Sequence, residues 1–282
     1  MRPNRITLSL LLVGLSVLVC TYWGRQRRSS ACAIPAPAGA AVATTAPAVR
    51  EHPLMPALRF AKQAQTEIEK NVRDYTATLL KRERMDGKLG DQQQVLVRIR
   101  HQPFSIYVCL VDAAGNKGDE AIYVEGQNDG KLQGHTTGIA GKLLGTVSLK
   151  PDGVIAMRGQ RYPMTETGVL NLCTRLIEVG TKDLQHEECE VTFLKKQKLQ
   201  DRECTCIEVK HPVRREYFGF HVARIFVDDQ WNVPLRYEAY DWPQQAGGEP
   251  ELLEQYEYRD LKLNCGLTDA DFDPKNPEYQ FR

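Results

Sequence analysis

Apolar and polar residues alternate with period two along most of the chain. VLVRIRH (95 to 101) points Val95, Val97 and Ile99 one way, and FSIYVCL (104 to 110) does the same with Phe104, Ile106, Val108 and Leu110. EAIYVEG, CEVTFLKK, CTCIEVKH, HVARIFVDD, PLRYEAYD and LLEQYEYRDLKL repeat the pattern, separated by turn signals such as NDG at 128 to 130 and PDG at 151 to 153. Alternation of this kind predicts strands with one buried face. Two stretches carry a helical period instead. Leu54, Leu58, Ala61, Gln65, Ile68 and Val72 recur at spacings of three and four, an apolar stripe interrupted only by Gln65. A second helix is predicted after Pro163, with Thr165 or Thr167 as N-cap, Val169, Leu172, Leu176 and Ile177 on one side, and Gly180 as its stop. The chain thus reads as an α+β protein of about ten consecutive antiparallel strands with helices at its start and middle. Because the strands are not interleaved with helices, a doubly wound parallel sheet is not expected.

The first 52 residues follow neither pattern. Arg2 and Arg5 precede an uncharged run from Ile6 to Gly24, predicting a signal peptide or signal anchor within residues 1–33. At 19 residues the run is long for a secretory signal and close to the ~20 needed to span a bilayer, so cleavage and anchoring both stay open. Residues 34–52, rich in Ala and Pro, cannot bury enough apolar surface to order themselves and predict a tether. From residue 53 to 282 no comparable break occurs, and one domain is expected. The domain is therefore placed outside the cytoplasm, in the periplasm or cell envelope, with membrane attachment through residues 6–24.

Charge removes one class of partner. Without the first 33 residues, which hold five basic and no acidic side chains, Lys plus Arg number 32 against 36 Asp plus Glu, a net charge of −4. Nucleic-acid binding has no electrostatic footprint here.

Candidate chemistry is sparse. After the tether the chain has only Ser105 and Ser148, neither in a G-x-S-x-G elbow, which removes serine hydrolysis. GIAGKLLG at 138 to 145 lacks the first Gly and the final Ser or Thr of a phosphate loop. Asp269, Asp271 and Asp273 alternate as in the first half of a calcium loop. Pro274 and Gln280 stand where Gly and a bidentate Glu are needed, so a solvated terminal turn that closes the sheet is expected instead. His186, Cys189, Cys204 and Cys206 have the donor types for zinc, but their spacing matches no closed site; no metal and no cofactor is expected. In RECTCIEVKHP (202 to 212) a strand would put Cys204 and Cys206 on the more polar face with Glu208 and Lys210. A tight turn at Gln200-Asp201 would set Ile207 opposite Leu194 and Cys206 opposite Lys195, leaving both thiols unpaired. A disulfide involving Cys109, Cys173, Cys189 or Cys265 stays open.

Six segments together carry a resemblance: NVRDYTATLLKRER (71 to 84), RHQPFSIYV (100 to 108), YVEGQNDGKL (123 to 132), RYPMTETGVLNL (161 to 172), PLRYEAYDWP (234 to 243) and GLTDADFDPKNPEY (266 to 279). They resemble the domain of unknown function 1571 family, known mainly from planctomycete-type bacteria, which supplies no catalytic residue. The order of elements, with a late strand of the form P-x-R-Y-x-x-x-D, is also similar to outer-membrane lipoprotein carriers and their relatives. That similarity implies a curved, open half-barrel covered on its concave side by two or three helices, with room for acyl chains between.

The function expected is a non-enzymatic envelope protein that binds a lipid, a lipoprotein acyl chain or another apolar ligand. Val97, Ile99, Phe104, Ile106, Ile225, Leu235 and Tyr237 would line the cleft, closed by the helix of residues 54 to 72. Arg158 and Arg161 would meet an anionic headgroup, while Arg236, on the opposite face from Leu235 and Tyr237, would brace the sheet edge. An interaction or sensor module with an envelope protein partner is the alternative, and an enzyme using Cys or carboxylate chemistry ranks third.

Overall fold

The structure, a computed structural model, describes residues 51–138, 143, 145–245 and 247–281. Contacts divide the chain into Met1–Ala48 and Val49–Arg282, and the described residues fall in the second unit. The signal or anchor segment, nearly all of the tether and most of residues 138–145 lie outside the description. No helix among the described residues is long and apolar enough to cross a membrane.

Twelve strands form one curved, open, antiparallel sheet, two more than the alternation alone suggests. They are β1 (Asp74–Met85), β2 (Lys88–Leu89), β3 (Gln93–Arg100), β4 (Ser105–Val111), β5 (Lys117–Val124), β6 (Leu132–His135), β7 (Thr146–Leu149), β8 (Glu190–Leu199), β9 (Arg202–Lys210), β10 (Val222–Asp228), β11 (Pro234–Asp241) and β12 (Glu251–Leu263). The order is β7-β6-β5-β4-β3-β1-β12-β11-β10-β9-β8, with β2 attached only to β1. Two meanders are therefore joined by the first and last strands, in a register from Tyr75↔Leu263 to Glu83↔Glu254.

Helices α1 (Met55–Asn71) and α2 (Val169–Asp183) cover one face. Ile99 pairs with Ile106, Val97 with Val108 and Val95 with Leu110, so one apolar row runs across β3 and β4. Ile68 and Val72, at the C-terminal end of the α1 stripe, and Val169 of α2 join that row and Tyr75 in the main core. Gln65, the one polar residue of the stripe, donates to Thr174 Oγ1 at 2.9 Å and ties the two helices together.

α2 departs from expectation at both ends. Its N-cap position is Gly168, at φ 128°, not Thr165 or Thr167, and no side chain of the helix caps it. Gly180 does not stop the helix, which runs to Asp183; a Cβ on Gly180 would stand 2.9 Å from Leu58 Cδ2. The residue is small because α1 and α2 approach closely there.

The opposite face is covered as well. Over β3 to β5 the C-terminal segment packs Phe272 and Tyr279 against Tyr107, Cys109 and Ile122, with Tyr107 and Tyr279 stacked at 4.0 Å. Asp271 and Glu278 bind Arg98 at 3.0 and 2.6 Å, and Asp269 binds Arg100 at 2.8 Å. The TDADFD stretch is thus a turn that stays exposed at Asp269 and Asp273 but is docked on the sheet by Phe272 and by the Asp269 and Asp271 carboxylates on arginines of β3.

Over β9 to β12 an ion-pair ladder runs Glu208–Arg224–Glu238–Arg236–Glu257–Arg259. Cys204 and Cys206 lie on this more polar face of β9 with Glu208, as the alternation predicts, yet beneath the long arginine arms both are fully buried. Arg236 belongs to this ladder in the interior of the sheet, since β11 lies between β10 and β12. The Gln200-Asp201 turn forms as expected, with Leu199 opposite Arg202. A bulge between Leu194 and Gln197 then shifts the register by one, so Ile207 faces Phe193 and Cys206 faces Leu194. All six cysteines from Cys109 to Cys265 are free thiols.

Candidate functional site

Between α2 and the sheet lies a cleft of about 230 Å³. Its floor is Leu79 of β1, Tyr237 and Ala239 of β11, and Tyr256 and Tyr258 of β12; its roof is Leu172, Leu176 and Val179 of α2. These roof residues recur at spacings of four and three and face the sheet as one stripe. The floor follows from the sheet's register: Tyr237 pairs with Tyr256 and Ala239 with Glu254, so alternate residues of β11 and β12 point the same way.

One end of the cleft is polar. The Tyr256 hydroxyl donates to Glu83, whose other oxygen lies 3.3 Å from Lys81 Nζ. The Tyr162 hydroxyl donates to Glu254 Oε1 at 3.1 Å, and Arg161 Nε stands 2.9 Å from Glu254 Oε2. Gln160 accepts from Lys81 Nζ at 3.0 Å, and the Arg175 guanidinium sits 4.0 Å over the Tyr162 ring. Burial, followed by the neighbouring Glu254 and Glu83 carboxylates, drives the Tyr256 hydroxyl far above its usual range; burial and Glu254 do the same for Tyr237. These phenols stay neutral donors in the physiological range. Lys81, Arg161 and Arg175 balance Glu83, Glu166 and Glu254, so the polar end carries no net charge.

A second cavity of about 70 Å³ lies beyond, between α1, α2 and β9 to β11. Leu54, which precedes α1, and Leu58, Phe60, Ala61 and Ala64 of α1 meet Ile207, Val209, Ala223, Ile225 and Val227 across it.

The residues expected to bind a ligand are divided by the structure. Val97, Ile99 and Ile106 are fully buried under the helices and pack as core. Phe104 is half-buried and lines, with Ile99 and Tyr123, an open depression beside the N-terminus of α2. Ile225 lines the smaller cavity and Tyr237 the larger. Leu235 sits at the register shift between β10 and β11 and packs in a separate cluster with Leu199, Cys204 and Phe226. Arg161 lies at the polar end of the cleft, whereas Arg158 is exposed and borders neither cavity. The α1 helix closes only the smaller cavity; α2 roofs the larger.

The cleft thus sits over β1, β11 and β12, away from β3 and β4. Glu254, Tyr256 and Tyr258 on β12 and the α2 stripe are the residues that sequence reasoning left out. Their signal was the alternation of LLEQYEYRDLKL, in which each apolar-capable tyrosine stands two from its neighbour.

Thiol chemistry has little support. Burial pushes Cys173 up to about 12 and Cys204 and Cys206 each up to about 11, so these thiols are protonated near neutral pH.

No curated protein matches the chain in sequence. Among solved structures it is similar to lipoprotein LppX of Mycobacterium tuberculosis, at 14% identity and TM-score 0.42, covering 78% of this chain and 100% of that one. It is similar to a DUF1329 family protein from Desulfovibrio piger, at 10% identity and TM-score 0.38 over 79% and 98%. A LolA superfamily protein from Nitrosomonas europaea aligns at 12% identity and TM-score 0.31 over 76% and 97%. The family model described as protein of unknown function DUF1571 matches residues 72–281, from just before β1 through the docked C-terminal segment, and the chain therefore belongs to the DUF1571 family.

Proposed function

We propose that this protein is a non-enzymatic, extracytoplasmic binder of an amphiphilic ligand, such as a lipid or an acyl chain, in the cleft between α2 and β1, β11 and β12. The observation that carries this reading is the preformed space itself, with an aliphatic roof, a tyrosine floor and a neutral polar end. Apolar concavities with a few convergent polar groups are the usual form of small-ligand sites. The polar end has donors and acceptors but no net charge, which suits a neutral or zwitterionic head better than a bare anion. The basic start and apolar run of residues 2–24 support the extracytoplasmic placement.

Mass spectrometry of organic extracts from the purified full-length protein tests the reading, alongside titration with a fluorescent acyl probe. Co-purification of a stoichiometric amphiphile, or saturable uptake of the probe, is the expected result. Uptake of no acyl ligand, with nothing extracted, would overturn it.

A further inference from the structure

The two cavities share three lining residues: Leu176 and Val179 of α2, and Phe220. Below them the floor is continuous, because Ala223 and Ala239 are cross-strand partners on one face, Ala223 lining the smaller cavity and Ala239 the larger. Directly opposed residues stand ~5 Å apart at Cβ, and alanine at both positions leaves the floor low. Over this alanine pair what stands between the cavities is the roof stripe and one side chain from the 211–221 connection between β9 and β10, while the neighbouring Ile225–Tyr237 pair raises the floor beside it.

Phe220 is half-buried and belongs to neither helix nor strand. Its ring lies 4.9 Å from His211, which stacks on Phe218 at 3.7 Å and points Nε2 at Asp183 Oδ2, 3.4 Å away, at the end of α2. The connection is pinned at its ends by His211 N donating to His221 O and His221 N donating to Tyr240 O. Phe220 thus borders both cavities, placed there by the pinned connection and by its ring contact with His211.

We propose that Phe220 is a length gauge for the ligand of the cleft, a deepening that rests on the function proposed above. The head lies at the Arg161–Glu254 end, the alkyl tail runs under Leu172 and Leu176 toward Phe220, and the smaller cavity is the tail extension that Phe220 closes off. Chains that reach Phe220 fit; longer ones gain nothing further from the site.

The test is a binding series of lysophosphatidylcholines, which carry a zwitterionic head, with saturated acyl chains of increasing length against the full-length protein, read by displacement of a fluorescent probe. In the wild type each added methylene should tighten binding by roughly fourfold until the chain meets Phe220, then the gain should cease. Phe220→Ala should move that plateau to longer chains, and Phe220→Leu should move it part way should the alanine variant fold poorly. Adding Ala223→Leu to either variant refills the extension and should restore the wild-type plateau, whereas Ala223→Leu alone should leave the wild-type plateau in place. A plateau unmoved in both Phe220 variants, with native circular dichroism, overturns the gauge and leaves the binding reading standing. Failure of the wild type to bind any chain overturns both.

Discussion

The Tyr75 hydroxyl accepts a hydrogen bond from the Val169 amide at 2.9 Å, so a side chain of the first strand caps the helix that roofs the cleft. The first N–H groups of a helix have no partner within it. Here Gly168 offers no side chain, and its φ of 128° with a would-be Cβ 3.1 Å from the Tyr75 hydroxyl leaves room for glycine alone. Both Tyr75 and Val169 are fully buried, away from bulk solvent.

Tyr75→Phe should therefore leave a buried amide unsatisfied, at a cost of about 1–3 kcal/mol. For a domain of this size each kcal/mol lowers Tm by roughly 2–4 °C. Thermal melts of the variant should fall by several degrees while the far-ultraviolet spectrum stays native; an unchanged Tm would show the cap to be unimportant.

The ion-pair ladder predicts a larger loss at Arg236. It holds Glu238 at 2.5 Å and Glu257 at 3.4 Å, and both carboxylates are almost wholly buried. Removing one partner of a buried pair costs about 3–5 kcal/mol when the other charge is left uncompensated; Arg224 still reaches Glu238 and Arg259 still binds Glu257, so the low end of that range, about 3 kcal/mol, is expected. Arg236→Ala should shift the denaturation midpoint accordingly. Adding Glu238→Gln should recover part of the loss, a coupling that equilibrium unfolding of the double-mutant cycle would measure.

How much of this was legible in the sequence depends on the reach of each contact. The strands and the α1 stripe could be read because period and burial are local, and Gln65 announced itself as the one break in the stripe. The Tyr75 cap could not, since its donor lies 94 residues away. The face that Cys204 and Cys206 share with Glu208 and Lys210 reads as polar in the sequence, but their burial does not, because the arms that cover the thiols come from Arg224 and Arg236 on neighbouring strands. Leu235 alternates with Tyr237 on paper, but the bulge between Phe226 and Val227 takes it out of that row. Apolar alternation is strongest on β3 and β4, but the helices pack against those strands tightly, and space remains where Ala239 and the tyrosines of β11 and β12 leave it.

Thiol burial gives a pH prediction. The folded state holds Cys173 at about 12 and Cys204 and Cys206 at about 11, above the unfolded value of about 8.5. Between those values the unfolded chain has fewer bound protons than the folded one, so stability falls as pH rises. The contribution is fully present below about pH 8.5 and is lost on the way to pH 11–12. Urea midpoints measured from pH 7 to 10.5 should decline from about pH 8.5 upward, and Cys204→Ala with Cys206→Ala should flatten the decline. In the native domain at pH 8, Cys265, which is exposed, should react with a thiol reagent well before these three.

Core and cleft can be separated by one pair of substitutions. Ile106 is fully buried among the residues that pack under the helices, so Ile106→Glu should abolish folding, as an unpaired buried charge would demand. Leu176 is half-buried and lines both cavities, so Leu176→Glu places its carboxylate at the cleft wall with a route to solvent. That variant should keep a native circular dichroism spectrum and lose uptake of a zwitterionic fluorescent acyl probe by tenfold or more, since about 1.4 kcal/mol is a factor of ten and one charged group in an apolar slot costs at least that. Native binding by Leu176→Glu would move the ligand elsewhere in the molecule. The open depression beside Phe104 and Tyr123 would then be the next place to look, with Phe104→Glu as the matching variant.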